Sequence, residues 1–329
     1  MIGSIALRNN VCLAPMSGLT DAPLRLLVED FGAGLTFSEM VASRELMARS
    51  GDAVRRLERG RRGLPLAVQL SGRDPELTAE AARIAEDGGA DIIDLNLGCP
   101  ARRVTGGYAG AALMKEPDRA RALIERVNSA VRLPVTVKMR LGWDQDSRNA
   151  PELAAMAESE GARMISVHGR TRNQFYKGAA DWDFIAHISA VLTIPLLVNG
   201  DINSLADAET AMARSGASGV MIGRAAIGRP WFPGQVAARL AGQTVPDDPD
   251  PHEIFPIIRD HYLAMLELYG PETGLRCARK HLAAYIEKSG ADAADIRLWR
   301  GRVCRSTAPD ATLDLLQRFF ERRDWRRAA

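Results

Sequence analysis

Cysteine is scarce in this chain of 329 residues: four occur, at positions 12, 99, 277 and 304, and no two are close in sequence. That spacing offers neither a disulfide framework nor a zinc knuckle. The five histidines show no HExxH-type spacing, so no protein metal site is expected. No apolar run approaches the roughly 20 residues of a membrane span. The opening segment MIGSIALRNNVCLAPM has no basic stretch followed by a long apolar run, so it does not read as a signal peptide. A cytoplasmic protein with reduced thiols and no membrane partner is the expectation. An excess of either charge is also missing, since 43 Lys and Arg face 41 Asp and Glu. The total therefore neither supports nor excludes a nucleic-acid partner; only a local patch could do so.

What is present is an alternation. Short apolar, β-branched runs at 11–16, 35–37, 64–70, 91–96, 135–139, 164–168, 196–199 and 219–222 are separated by longer amphipathic stretches. Eight strands interleaved with helices predict a parallel α/β fold, and eight is the number that closes a (β/α)8 TIM barrel. Gly88-Gly89, Gly161 and Gly216 each end a helical pattern just before a strand. The competing doubly wound sheet would carry a GxGxxG turn after its first strand, and none is there. Residues 242–251, GQTVPDDPDP, are polar and aperiodic and read as a linker. Beyond them the pattern is helical, over 253–268, 274–289 and 313–323. The expected division is a catalytic barrel over 1–241, the linker 242–251 and an all-helical domain over 252–329. Between Arg276 and Arg305 lie eight basic and three acidic residues. Charge alone leaves two readings open there, a solvated helix face and a nucleic-acid surface.

In such a barrel, chemistry sits at the C-terminal ends of the strands. Here those ends carry Pro15-Met16-Ser17, Ser38-Glu39, Gln69, Asn96 to Cys99, Lys138 and Arg140, His168 and Arg170, Asn199-Gly200-Asp201, and Gly223-Arg224. Polar groups at eight consecutive strand ends outline one lined cavity. Gly200 and Gly223 let backbone N–H groups approach a phosphate, and Arg224 can add a charge-assisted pair. A phosphorylated cofactor or substrate follows. Lys138 and Arg140 alternate on one strand and so share a face. Two cations there are costly unless they meet an anion or developing negative charge, for which a reduced flavin and a phosphosugar both qualify. His168 is either part of that cluster or a satisfied barrel histidine. Cys99, between Gly98 and Pro100 past the fourth strand, is either a small buried hydrophobe or a proton donor.

The segments APMSGLTDAPLR (14–25), GLTFSEM (34–40), DLNLGCPARRV (94–104), VKMRLGW (137–143), HGRTR (168–172), NGDI (199–202) and MIGRAAIGRPW (221–231) together resemble the tRNA-dihydrouridine synthases. YGPETGLRCARKH (269–281) is similar to the tail of their bacterial B-type branch. The resemblance spans essentially the whole chain. It implies a barrel that binds FMN and a helical tRNA-binding domain, with NADPH as electron donor and a D-loop uridine of tRNA as substrate. Cys99 would be the general acid that protonates uracil C5. Pro15, Met16 and Ser17 would line the flavin, Gln69 and Lys138 would hydrogen-bond its ring, and His168 would lie beside it. Asn199, Gly200, Asp201, Gly223 and Arg224 would hold the ribityl phosphate. Asn96, Arg140, Arg170 and Tyr176 would contact the uracil. One departure is that Ala225-Ala226 follow Gly223-Arg224 where many members read GRGA. No obligate protein partner is implied, and a monomer is expected.

The nearest alternative is an FMN-dependent free-pyrimidine dehydrogenase of the dihydroorotate or dihydropyrimidine type. Those enzymes usually read N-x-S-C-P-N where this chain reads NLGCPA, and a basic helical tail would have no task in them. A flavin-free sugar-phosphate barrel would be colourless. A non-enzymatic RNA-binding protein leaves the polar strand ends unexplained.

Overall fold

In a computed structural model, which describes residues 1–58 and 64–321, the apolar runs become nine parallel strands. They are β1 (Val11–Leu13), β2 (Leu35–Phe37), β3 (Val41–Ala42), β4 (Leu66–Ser71), β5 (Ile92–Leu97), β6 (Val135–Arg140), β7 (Ile165–His168), β8 (Leu196–Asn199) and β9 (Gly219–Ile222). Each pairs in parallel with its neighbours, and the sheet closes where Cys12 of β1 pairs with Met221 of β9. The result is a closed eight-stave barrel surrounded by helices. The second stave is split: β2 pairs with Leu66 and Ala67, and β3 with Leu70 and Ser71, of the same strand. Ser38 bridges the gap, its N–H bonding Ala67 O and its Oγ accepting from Gln69 N at 3.0 Å.

The strands are buried on both faces, as a parallel sheet wrapped by helices requires. Their inward residues divide by height. Cys12, Leu35, Phe37, Ala67, Ile92, Met164, Leu197 and Met221 pack with Ile2 near the strand starts. That apolar plug leaves the polar inward positions to the other end. Val11, Leu13, Val68, Leu70 and Ile93 face outward into the layer beneath the helices. The helices start and stop on local signals: Asp74 caps Leu77 N ahead of Pro75–Asp87, and Ser204 with Asp207 forms a capping box for Leu205–Ser215. Gly216 then ends that helix in the left-handed region.

Residues 243–250 contain neither helix nor strand. They are held against the barrel: Asp248 accepts from Trp231 Nε1 and Gln235 Nε2, each at 2.8 Å. Helices Pro251–Tyr269, Pro271–Glu287, Ala293–Arg305 and Pro309–Phe320 follow. They share a second core that includes Tyr262, Leu275, Leu282, Trp299, Leu316 and Phe319. The third of these helices lies in the tail that was expected to be helical, but in none of the three stretches 253–268, 274–289 and 313–323. It buries only Trp299 and Val303, an i,i+4 pair too thin to give an apolar stripe, and relies on an Asp292 cap. The end of the expected stretch 313–323 lies outside the described residues. Among the described residues no helix is long and apolar enough to cross a membrane.

Candidate active site

At the open end of the barrel lies a cavity of about 540 Å³, within the range of small-molecule and cofactor sites. Its floor is a hydrogen-bonded chain across three staves. Thr136 Oγ1 donates to Asp94 Oδ1 at 2.6 Å, and Gln69 Nε2 donates to Asp94 Oδ2 at 2.7 Å. Asn96 Nδ2 donates to Gln69 Oε1 at 2.7 Å. Asp94 has no exposed surface, and burial pushes its carboxyl up to about 6. Asn96 spends its oxygen on the turn beyond its strand, accepting from Gly98 N at 3.1 Å and Cys99 N at 2.8 Å. Asp94 thus orients Gln69, Gln69 orients Asn96, and Asn96 holds Cys99 at the cavity wall. Gly110 packs on the same turn with φ of 60°, and a Cβ there would sit 2.9 Å from Cys99 O.

Two cations line the next stave. Lys138 Nζ donates to Asn199 Oδ1 at 3.1 Å, and Asn199 Nδ2 donates to Met221 O at 2.7 Å. Burial first, then the charge of Arg140, lowers the Lys138 ammonium to about 8. Arg140 is 2% exposed, and burial lowers it to about 10. Its Nε donates to Gly98 O at 2.8 Å, and its Nη1 to Thr171 O and Phe175 O at 3.0 and 2.9 Å. One guanidinium therefore ties the Cys99 turn to the loop after β7. That loop carries Tyr176 over the mouth, 55% exposed, with Arg140 and Arg224 at 5.6 and 5.1 Å from its ring centroid. His168 is held well below its ordinary value by burial and then by Arg140 and Lys138. Its Nε2 lies 3.3 Å from Arg170 Nη1. A guanidinium can only donate, so Nε2 carries the lone pair and Nδ1 the proton.

The ends of β8 and β9 form the opposite wall. Gly200 has φ of 113°, and a Cβ there would lie 3.0 Å from Ala180 Cβ and 3.3 Å from His168 Nε2. A Cβ on Gly223 would stand no closer than 3.7 Å to anything, facing Met16 Sδ. The Arg224 side chain is 62% exposed and only loosely paired, 3.6 Å from Asp201 Oδ1. It is free to take an anion at the mouth.

Pro15, Met16, Ser17, Gln69, Asn96, Cys99, Lys138, Arg140, His168, Tyr176, Asn199, Gly200, Asp201, Gly223 and Arg224 all line this one cavity. Arg170, singled out with them, does not. It is 2% exposed and turned to Asp201 Oδ2, Lys177 O, Gly178 O and His168. It braces the mouth instead of reaching into it. Asn96 also proves largely committed to Gln69 and the Cys99 turn. Sequence reasoning missed Thr136 and gave no role to Asp94, which it counted among the polar residues of the fourth strand and which stands two residues before Asn96, on the same inward face. From the tail, Lys280 reaches the rim: its Nζ lies 2.9 Å from where a Cβ of Gly18 would be.

The family model described as "Dihydrouridine synthase (Dus)" matches residues 12–323. A probable tRNA-dihydrouridine synthase of Rhodobacter capsulatus is 50% identical over 98% of both chains. A tRNA-dihydrouridine synthase B of Xanthomonas axonopodis is 42% identical over 97% of this chain and 95% of its own. Among solved structures, a 2-naphthoyl-CoA reductase superposes with a TM-score of 0.55 at 13% identity, covering 74% of this chain and 51% of that one. A 6-hydroxypseudooxynicotine amine oxidase of Pseudomonas geniculata gives 0.56 at 16%, covering 74% and 49%. At such identities these two speak for the barrel fold alone.

Proposed function

The chain belongs to the dihydrouridine synthase family, and on that premise we propose that it reduces uridine in the D-loop of tRNA, with FMN as cofactor, NADPH as electron donor and Cys99 as general acid. The observation that carries the reading is the convergence on one cavity of a thiol, a buried pair of cations and an exposed arginine beside two glycines. The names of the relatives supply the substrate class, uridine in tRNA.

The residues fit a flavin mononucleotide. Gly223 leaves backbone open to a phosphate, Gly200 turns the chain beside it at positive φ, Arg224 has a guanidinium to give it, and Asn199 and Asp201 flank the place. Gln69 and Lys138 present a neutral and a cationic donor toward a ring, and Pro15, Met16, Ser17 and His168 close its sides. When bound and reduced by NADPH, that cofactor supplies the hydride for uracil C6.

The protein does the rest. Cys99 Sγ gives its proton to C5, and the thiolate left behind faces Lys138 and Arg140, then recovers a proton from solvent. Neutral His168 adds no charge that would compete with the cations. Tyr176, with Arg140 and Arg224 beside its ring, is placed to hold a base swung out of its loop. Lys280 at the rim joins the basic helices 271–305 to the cavity mouth, a path for the phosphates that flank the base. We assign the division into a catalytic barrel over 1–241 and a tRNA-binding unit over 252–329 on the same grounds.

The test is to incubate the purified protein with NADPH and tRNA lacking dihydrouridine, then map the modification by position. New dihydrouridine in the D-loop is expected. NADPH oxidation with free pyrimidines and unchanged tRNA would move the assignment to a free-pyrimidine dehydrogenase.

A further inference from the structure

Away from the cavity, where the tail meets the barrel, three ligating side chains converge from distant parts of the sequence. Asp21 caps the helix Ala22–Asp30, His261 lies on Pro251–Tyr269 and His281 on Pro271–Glu287. They are 5%, 5% and 1% exposed. Their ligand atoms all fall within 4.8 Å of one another. Nε2 of His261 and Nε2 of His281 are both buried and have no hydrogen-bond partner. Buried imidazole nitrogens are rarely left so, because each gives up its hydration for nothing. We propose that Asp21, His261 and His281 bind one zinc-type divalent cation that fastens the helical tail to the barrel.

The surroundings suit that role. His261 Nδ1 lies 3.0 Å from the Tyr285 hydroxyl; in the tautomer that binds a cation, Nδ1–H donates to that hydroxyl and Nε2 keeps its lone pair for the metal. The Tyr269 hydroxyl donates to Asp21 Oδ2 at 3.3 Å, steadying the carboxylate. Its Oδ1 accepts from Leu24 N, and the nearby Arg25 guanidinium is turned to Thr20 O and Glu58 O. The negative charge is thus available to a cation. Two imidazoles and one carboxylate select a borderline-soft ion over magnesium or calcium, which take oxygen sets. Bonds of about 2.0–2.1 Å would draw tetrahedral ligand atoms to roughly 3.4 Å apart. An ion bonded to all three would hold them at that spacing, and because Asp21 belongs to the barrel and both histidines to the tail, it would seat one on the other.

The experiment uses untagged full-length protein, stripped with chelator, loaded with Zn²⁺ alone and desalted. One zinc per chain should be retained, and Co²⁺ in its place should give the absorption bands of a four-coordinate site. Asp21→Asn keeps a good helix cap but removes the carboxylate, and His281→Gln removes one nitrogen ligand. Both should lose stoichiometric retention, with Asp21→Asn melting like the parent protein in chelator. Substoichiometric zinc and no four-coordinate cobalt spectrum in the parent, an ordered water alone between the three groups in a zinc-soaked crystal, or full retention by both variants would each overturn the proposal.

Discussion

Replacing Asn96 with alanine removes three hydrogen bonds at one position: those from Gly98 N and Cys99 N to its oxygen, and its own to Gln69 Oε1. Each is worth about 1 kcal/mol net. Asn96 is 8% exposed, so little water stands ready at its buried end, whereas the Gly98–Cys99 turn is half-buried and water can recover part of the loss. Destabilisation of about 2–3 kcal/mol follows. The larger effect is on rate, because the turn that carries the thiol loses its anchor. A displacement of about 1 Å at a reacting group costs about 100-fold. The assay is stopped flow on the two half-reactions. Reduction by NADPH uses no proton from Cys99 and should stay within about threefold of the parent. Reoxidation by unmodified tRNA should slow by about 100-fold. Equal losses in both halves, or an unchanged second half, would refute the positioning role.

Three further substitutions probe other parts of the cavity and its rim. The Asp94 carboxyl is raised in the fold, so it stabilises the protein most below its unfolded value and loses that contribution as pH rises through about 6. Between pH 4.5 and 7.5 the loss is about 2 kcal/mol, and urea unfolding of Asp94→Asn against the parent should show that much less pH dependence. Arg224→Ala should weaken FMN binding roughly tenfold, from one charge-assisted pair at an exposed position, while leaving riboflavin binding alone. Equal weakening of both by fluorescence titration would place Arg224 away from the phosphate. Lys280→Ala should lower the salt dependence of tRNA binding by about one unit of slope. An unchanged slope would remove Lys280 from the RNA path.

The barrel was legible because its signals are local and repeated. Runs such as 196–199 and 219–222 are strands to the residue, and Gly216 ends a helix as its position implies. The cavity was legible because strand ends must converge in this fold, which places Lys138 beside Asn199 although 61 residues separate them. What escaped was what side chains do on arrival. Arg170 shares a strand end with His168, but Asp201 and the 177–178 carbonyls draw its guanidinium away from the cavity. The split second stave depends on Ser38 bonding to β4, a contact no periodicity encodes. The cluster of Asp21, His261 and His281 left no trace in histidine spacing, because 240 residues separate its barrel and tail members and only the docking of helices joins them.

Cys99 is the residue on which the proposed uridine reduction depends most directly. Cys99→Ala holoenzyme, reduced anaerobically and mixed with tRNA lacking dihydrouridine, should bind the RNA and stay reduced, while its reduction by NADPH proceeds at the parent rate. Reoxidation as fast as in the parent, with dihydrouridine appearing in the tRNA, would show that the proton comes from elsewhere.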